Sequence, residues 1–414
     1  MISLYLHKGK DESLRRFHPW VFSGAVHHID GHPKEGDLVE VRTAAGEFIA
    51  VGHWQIGSIA VRVLSFDNEP INHQFWVRCI RAAYDVRLSI GVAGRQDNNT
   101  YRLVHGEGDN LPGLIVDMYG HTAVMQAHSV GMHVERMEIA SALKEVMGEE
   151  LQNIYYKSET TLPFKAELGQ QDGFIFQSSR TASGKPITKF KVQGSKFLDD
   201  VPDIAVENGL RFHIDWLKGQ KTGFFVDQRD NRSLVEQYSK NRRVLNMFCY
   251  TGGFSVYAMR GGASLVHSVD SSAKAVDLVN DNIELNFPSD SRHKAFAEDA
   301  FKFLDQITES AYDLIILDPP AFAKHRDAIR HAIKGYTKLN AKAFEKIQPG
   351  GILFTFSCSQ AISKDQFRMA VFTAATLARR KVRILHQLHQ PADHPVNIYH
   401  PEGEYLKGLV LYVE

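Results

Sequence analysis

From about residue 205 the chain alternates short apolar runs with helical segments. RVLNMFC, SLVHSVD, YDLIILD and GGILFTFS read as strands, and FSVYAMRGG, KAVDLVNDNIELN, a long segment ending at Lys346 and DQFRMAVFTAATLARR read as helices between them. The runs show little polar alternation, as expected of strands buried on both faces of a parallel sheet. The pattern predicts a doubly wound α/β domain over residues 205–414, closed by KVRILHQLHQ and YLKGLVLYVE. In such a sheet a ligand sits at the carboxyl ends of the strands, so the chemistry is sought there.

The upstream residues follow other patterns. Residues 1–72 carry short β-like runs (LYL, DLVEVRT, EFIAVGHW, SIAVRVLSF) broken by Gly and Pro, and are expected to form a small β-barrel module. Residues 74–200 open with the helical HQFWVRCIRAAYDVRLSI, continue through GLIVDMYG and HTAVMQAHS, and are expected to form a central α+β domain. Within them, 178–196 hold five basic residues and no acid, the composition of a connector or of an RNA-touching loop. The 414 residues accommodate this multidomain arrangement.

Lys+Arg and Asp+Glu both number 48, so no bulk basic field drives non-specific nucleic-acid binding, and any such partner must meet local patches. Three dispersed cysteines (Cys79, Cys249, Cys358) form neither a disulfide framework nor a zinc pattern, so no metal is expected. That usage suits a reducing compartment. The N-terminal segment lacks an apolar core and no run reaches membrane-spanning length, which points to a cytoplasmic protein without membrane partners.

The first strand of the α/β domain ends in NMFCYTGGFS. Its glycines allow a ligand to approach the backbone at a helix start. It lacks the G-x-G-x-x-G turn that cradles a pyrophosphate. A ligand with adenosine and no phosphates fits better, and S-adenosylmethionine is that ligand. Asp270, ending the second strand, is placed for the ribose hydroxyls. Asp299-Ala300, at the third strand's end, are placed for the adenine, and Gly252-Gly253 for the amino-acid end. Asn246, Phe248, Tyr250 and Asp318 complete the expected cofactor-binding set. Taken singly, each acid is equally a helix cap or turn residue. Four such features at successive strand tips favour a site.

The fourth strand ends in Asp318-Pro319-Pro320-Ala321-Phe322, similar to the (Asn/Asp)-Pro-Pro-aromatic signature of methyltransferases acting on amino groups of bases, but with Ala321 in the aromatic position. The neighbouring strand ends in FSCSQ, so Asp318 and Cys358 are expected to face one pocket. A thiolate adding to carbon-6 of a pyrimidine makes carbon-5 nucleophilic, which is covalent catalysis. The thiolate requires amides or cations nearby. Asp318 would hydrogen-bond the exocyclic amine and ring nitrogen of cytosine, and Phe322 would stack on the extruded base. Cys249 and Cys79 read as packing residues, the ordinary fate of a free cysteine. Beyond the Pro-Pro turn, Lys324, Arg326, Arg330, Lys334, Lys338 and Lys342 form a stripe, either a solvated face or a phosphate track.

These stretches together identify a resemblance to the RlmI-like family of bacterial 23S rRNA cytosine carbon-5 methyltransferases, over essentially the whole length. HPWVFSGAV (His18–Val26) resembles its RNA-binding PUA module, YRLVHGEGDNLPGLIVDMYG its central domain and GQKTGFFVDQRDNR the approach to its methyltransferase domain. NMFCYTGGFS, LDPPAF and FSCSQ resemble its cofactor, base-pocket and nucleophile motifs. The resemblance implies Cys358 as nucleophile, Asp270 and Asp299 at the adenosine, Gly252 and Tyr250 at the methionine part, and 23S rRNA as partner. Asp227, Gln228 and Arg229 are implied near the cofactor or substrate mouth, with Arg229, Pro319, Pro320, Phe322, Lys324, Arg326 and Arg330 toward the substrate. Other RNA cytosine methyltransferases carry a second cysteine at the Pro-rich motif. This chain has Asp318 there, so Asp318, Asp393, His394 or a water is left to remove the carbon-5 proton. Amino methylation of adenine or guanine, a non-catalytic RNA-binding assembly factor and a homodimeric state stay open; a nicotinamide oxidoreductase is disfavoured by the missing phosphate turn.

Overall fold

A computed structural model describes residues 1–163, 168, 172–177, 204–323 and 328–414. The basic stretch 178–196, Lys324 and Arg326 lie outside the described residues. The chain divides into two compact units, one of residues 1–206, 215–226 and 392–403, the other of residues 207–214, 227–391 and 404–414.

The first unit contains two sheets. Strands β1 (Ile2–Leu6), β2 (Trp20–Phe22), β3 (Val26–Asp30), β4 (Leu38–Arg42), β5 (Phe48–Trp54) and β6 (Ile59–Ser65), with a short helix α1 (Glu12–Arg15), form a six-stranded sheet in the order β2-β6-β5-β4-β1-β3. Alternate residues Leu4 and Leu6, Val39 and Val41, and Val61 and Val63 point into its core, the period-two pattern of a one-sided sheet. The second sheet runs β11-β10-β9-β8-β7. Its strands are β7 (Thr100–His105), β8 (Leu114–Tyr119), β9 (Thr122–Ala127), β10 (Asn153–Tyr156) and β11 (Gly173–Gln177). Helices α2 (His73–Ser89), α3 (Val130–Val134) and α4 (Arg136–Met147) accompany it, and α2 and α4 share its core through Trp76, Ile80, Ile139 and Leu143. Asn72 caps α2 by accepting the Phe75 amide, which is why the helix starts there.

The second unit is the doubly wound domain. Its sheet has seven strands in the order β16-β15-β14-β17-β18-β20-β19. They are β14 (Arg243–Met247), β15 (Leu265–Asp270), β16 (His293–Ala297), β17 (Tyr312–Leu317), β18 (Ile347–Ser357), β19 (Val382–Leu388) and β20 (Lys407–Val413); β12 (Ala205–Glu207) and β13 (Leu210–Phe212) form a separate hairpin. The helices are α5 (Arg229–Tyr238), α6 (Gly253–Arg260), α7 (Ala273–Asn286), α8 (Ala300–Gln306), α9 (Ile329–Lys346) and α10 (Lys364–Leu377). Strands β14 to β18 pair in parallel, whereas β20 is antiparallel to both neighbours. An antiparallel insertion requires no crossover helix, so a loop suffices between β19 and β20. Strand order reverses between β14 and β17, and the crevice over that reversal is where such sheets hold ligands.

Candidate active site

The turn leaving β14 is strained. Phe248, Tyr250 and Gly252 all have positive φ (58°, 45° and 78°). For a bulky side chain that region costs on the order of 1–3 kcal/mol, which surrounding structure must offset. Gly252 caps α6, and a Cβ there would lie 2.9 Å from Val279 Cγ1. Glycine is therefore required for the turn to pack closely on buried Val279 of α7, which fixes the shape of the strand-to-helix turn where the sequence places the amino-acid end of an adenosyl ligand. Beside it, the two carboxylate oxygens of half-buried Asp270 accept the amides of Tyr250 (3.1 Å) and Ser272 (3.0 Å). Each carboxylate oxygen has two lone pairs, so acceptor capacity remains for ribose hydroxyls.

Asp299 caps α8: Oδ1 accepts the Phe301 and Lys302 amides, both at 3.0 Å. The cap role weighed from sequence is thus present, on an exposed carboxylate next to buried Ala300. Asn246 lies elsewhere. Its side chain is fully buried and donates to Ser255 Oγ (2.9 Å), which contacts Ser268 Oγ. It fastens α6 to the sheet beneath the glycine turn and does not line the cleft.

At the β17 tip, half-buried Asp318 accepts Gln228 Nε2 at 3.0 Å, and Gln228 Oε1 accepts from Asn231. Asp227 accepts the Tyr405 hydroxyl at 2.6 Å. Asp227 and Gln228 are thus supporting groups beside the site. Arg229, expected to face substrate, is instead 3% exposed, with Nε 3.6 Å from buried Glu207. The charge of Glu207 draws this guanidinium into the interior. Pro319 is buried and Pro320 exposed, while the half-buried Phe322 ring packs on Tyr336 with centroids 4.7 Å apart.

Parallel register pairs Leu317 with Thr355, so Asp318 leaves β17 one residue later and Cys358 leaves neighbouring β18 three residues later, at adjacent strand ends. Cys358 is partly exposed, whereas Cys249 is buried with its thiol pushed well up by desolvation. Cys79 is partly buried against the central core, where desolvation pushes its thiol up to about 11. Tyr336, fully buried on α9, accepts a hydrogen bond from Ser357 Oγ at 2.9 Å. Burial pushes its phenol up to about 12; Ser357 offsets part of that, and the charges of Cys358 and Asp318 add to it. One phenol therefore senses both the sulfur and the carboxylate. Lys407, the first residue of β20, donates from Nζ to the carbonyls of Ser359 (2.6 Å) and Ile362 (2.8 Å). Neither Tyr336 nor Lys407 was anticipated from sequence as part of the site. Their signal, a polar residue on α9 or on β20 that meets the end of β18 far away in the chain, becomes visible only with the register.

Asp393 and His394, expectations for proton removal, are buried in the first unit. Asp393 Oδ2 accepts the Arg102 amide at 2.9 Å and Oδ1 lies 3.2 Å from His394 Nδ1. Arg330, Lys334 and Lys338 are exposed on α9, whereas Lys342 pairs with Asp305.

A mainly parallel sheet in this order, with a glycine turn and Asp270 at its switch point and no phosphate turn, is the frame expected of an S-adenosylmethionine-dependent methyltransferase. A family model described as S-adenosylmethionine-dependent methyltransferase matches residues 142–397, and one for a PUA-like domain matches residues 4–66. Ribosomal RNA large subunit methyltransferase I of Aeromonas hydrophila is 39% identical over 414 residues, covering 99% of this chain and 98% of the relative. Its namesake in Salmonella arizonae is 37% identical, covering 99% and 97%. Among solved structures, one described as a SAM-dependent methyltransferase from Streptococcus mutans superposes with TM-score 0.80 at 21% identity over all of both chains. Another methyltransferase structure, complexed with SAH, also gives 0.80 at 22% identity over all of both chains. The chain belongs to the ribosomal RNA large subunit methyltransferase I family. It combines a PUA-like N-terminal domain with a C-terminal methyltransferase domain, and its cofactor is S-adenosylmethionine.

Proposed function

We propose that this protein methylates carbon-5 of a cytosine in 23S rRNA through a covalent adduct on Cys358. The observation that carries the reading is the partly exposed Cys358 at a strand tip beside Asp318, both within electrostatic reach of Tyr336. The large-subunit rRNA substrate follows from the relatives' names.

S-adenosylmethionine supplies an electrophilic methyl group. The Cys358 thiolate adds to carbon-6, forming a C–S bond and pushing the ring's electron pair toward carbon-5. Asp318 accepts a hydrogen bond from the exocyclic amine, which cytosine has and uracil lacks. Carbon-5 takes the methyl group, a base removes the carbon-5 proton, and the C–S bond breaks with its electrons returning to sulfur. Asp318 itself or a water is the group we assign to that proton. Gln228 keeps the carboxylate oriented. Phe322 stacks on a base extruded from single-stranded RNA. An enzyme acting on rRNA works where ribosomes are, so we place it in the cytoplasm. Among the described residues no helix is long and apolar enough to cross a membrane.

RNA carrying 5-fluorocytosine tests the reading, because fluorine at carbon-5 cannot leave as a proton does. The parent protein is expected to form an SDS-stable protein–RNA complex, and Cys358→Ala to form none while still binding S-adenosylmethionine. A methylated amino group in the nucleoside product, with Cys358→Ala still active, rejects it in favour of the amino-methylation chemistry of Asp-Pro-Pro.

A further inference from the structure

The Lys407 ammonium occupies an unusual place. It is 5% exposed, and antiparallel register sets it opposite Ser357, the residue before Cys358. Two of its three N–H groups are committed to the carbonyls of Ser359 and Ile362, in the turn that immediately follows the cysteine. Among the described residues no carboxylate lies within 4.0 Å of its Nζ; the nearby Glu404 pairs with Lys364. A buried charge without a counter-ion is costly. The anion that would relieve it is a thiolate on Cys358.

We propose that Lys407 is a positioning residue that holds the Cys358 sulfur as a thiolate, acting as its counter-ion while clamping the turn that carries it. The proposal rests on Cys358 being the nucleophile and adds the group that activates it. With two N–H groups on the carbonyls of Ser359 and Ile362, the third N–H of the ammonium is the donor the proposal assigns to the sulfur. Burial lowers the lysine to about 8, with the negative charge of Cys358 the largest effect opposing that fall. Among the described residues, charges facing the pair include Glu404 and Lys364 near the lysine, and Asp318, with the Tyr336 phenol, near the sulfur. Asp318 opposes the thiolate, and the Lys407 ammonium is a buried cation able to favour it. A clamp alone would need only a donor; a counter-ion must also shift the thiol's titration.

The test is the pH dependence of Cys358 alkylation by iodoacetamide, followed by mass spectrometry of the Cys358 peptide in the full chain without RNA. In the parent the midpoint is expected below the ordinary thiol value of about 8.5. Lys407→Met is expected to raise it by about one pH unit, roughly tenfold slower alkylation at neutral pH, with the same limiting rate at high pH. Lys407→Arg keeps the charge and is expected to stay near the parent. S-adenosylmethionine affinity, read by calorimetry, reports that the variants are folded. An ordinary or raised midpoint in the parent overturns the proposal, and this arm needs no variant. So does a Lys407→Met protein that binds cofactor with an unmoved midpoint, or Lys407→Arg shifting as far as Lys407→Met. A low Cys358 midpoint together with methylation by Cys358→Ala would preserve the ion pair and remove only the nucleophile role.

Discussion

Asp270 shows how one carboxylate serves fold and site together. Both its oxygens receive main-chain amides of the turns that flank it, so the strained Tyr250 backbone is held by the group assigned to the ribose. Asp270→Ala is therefore expected to weaken S-adenosylmethionine binding by roughly 1.5–3 kcal/mol, the cost of removing a charged hydrogen-bonding partner. Asp270→Asn, which keeps one acceptor oxygen, should fall between. Calorimetry decides it, and unchanged affinity removes the ribose role. At this scale the sequence was informative where chemistry clusters at strand tips: Asp270, Asp318 and Cys358 all stand at the ends of the strands expected to carry them. It was uninformative where a side chain has two equally good uses. Asn246 and Arg229 sit in stretches with the right motif, yet one is spent on Ser255 and the other on Glu207. Direction of a side chain depends on partners far away in the chain, and no local pattern encodes that.

Among the elements, α9 runs from the interior beside Ser357 to the surface. Its inner face packs Ala332, Tyr336, Leu339 and Phe344 into the core, so Arg330 and Lys334 necessarily point outward on the opposite side. We propose that these two track phosphates of the substrate. Reversing both (Arg330→Glu with Lys334→Glu) should weaken RNA binding about tenfold or more. It should also make the slope of log affinity against log salt shallower by about 0.7 per lost contact to single-stranded RNA. Cofactor affinity should not change. Filter binding across a salt series measures this, and an unaltered slope returns the stripe to a solvated face. The parallel strands and their helices were legible because burial on both faces leaves continuous apolar runs. The position of β20 between β18 and β19 was not, since nothing in YLKGLVLYVE states which neighbours it will have.

For the molecule as a whole, buried histidines set the acid limit. His53 is 1% exposed, stacked near Trp76, and burial lowers it to about 4 from 6.5. Unfolded chain binds a proton between those values and folded chain does not, so stability is lost as pH falls from about 6.5 through 4. At pH 5 this one residue should cost about 2 kcal/mol relative to pH 7. His293, also lowered to about 4 by burial, acts in the same direction in the other unit. Urea titrations at the two pH values test this, with His53→Leu expected to recover about 2 kcal/mol of the difference. Equal pH dependence in that variant would show the ring is already charged when folded.

The interior place of β20 also governs the order in which the domain can mature. During synthesis β19 leaves the ribosome before β20, yet β20 separates it from β18. A nascent chain must therefore wait with the apolar edge of Leu353–Phe356 unpaired and β19 without a neighbour. Only when residues 407–413 slot between them does Lys407 reach Cys358's turn. Under the ion-pair proposal, a half-made copy carries a dormant thiol, and reactivity switches on with the final closure of the sheet.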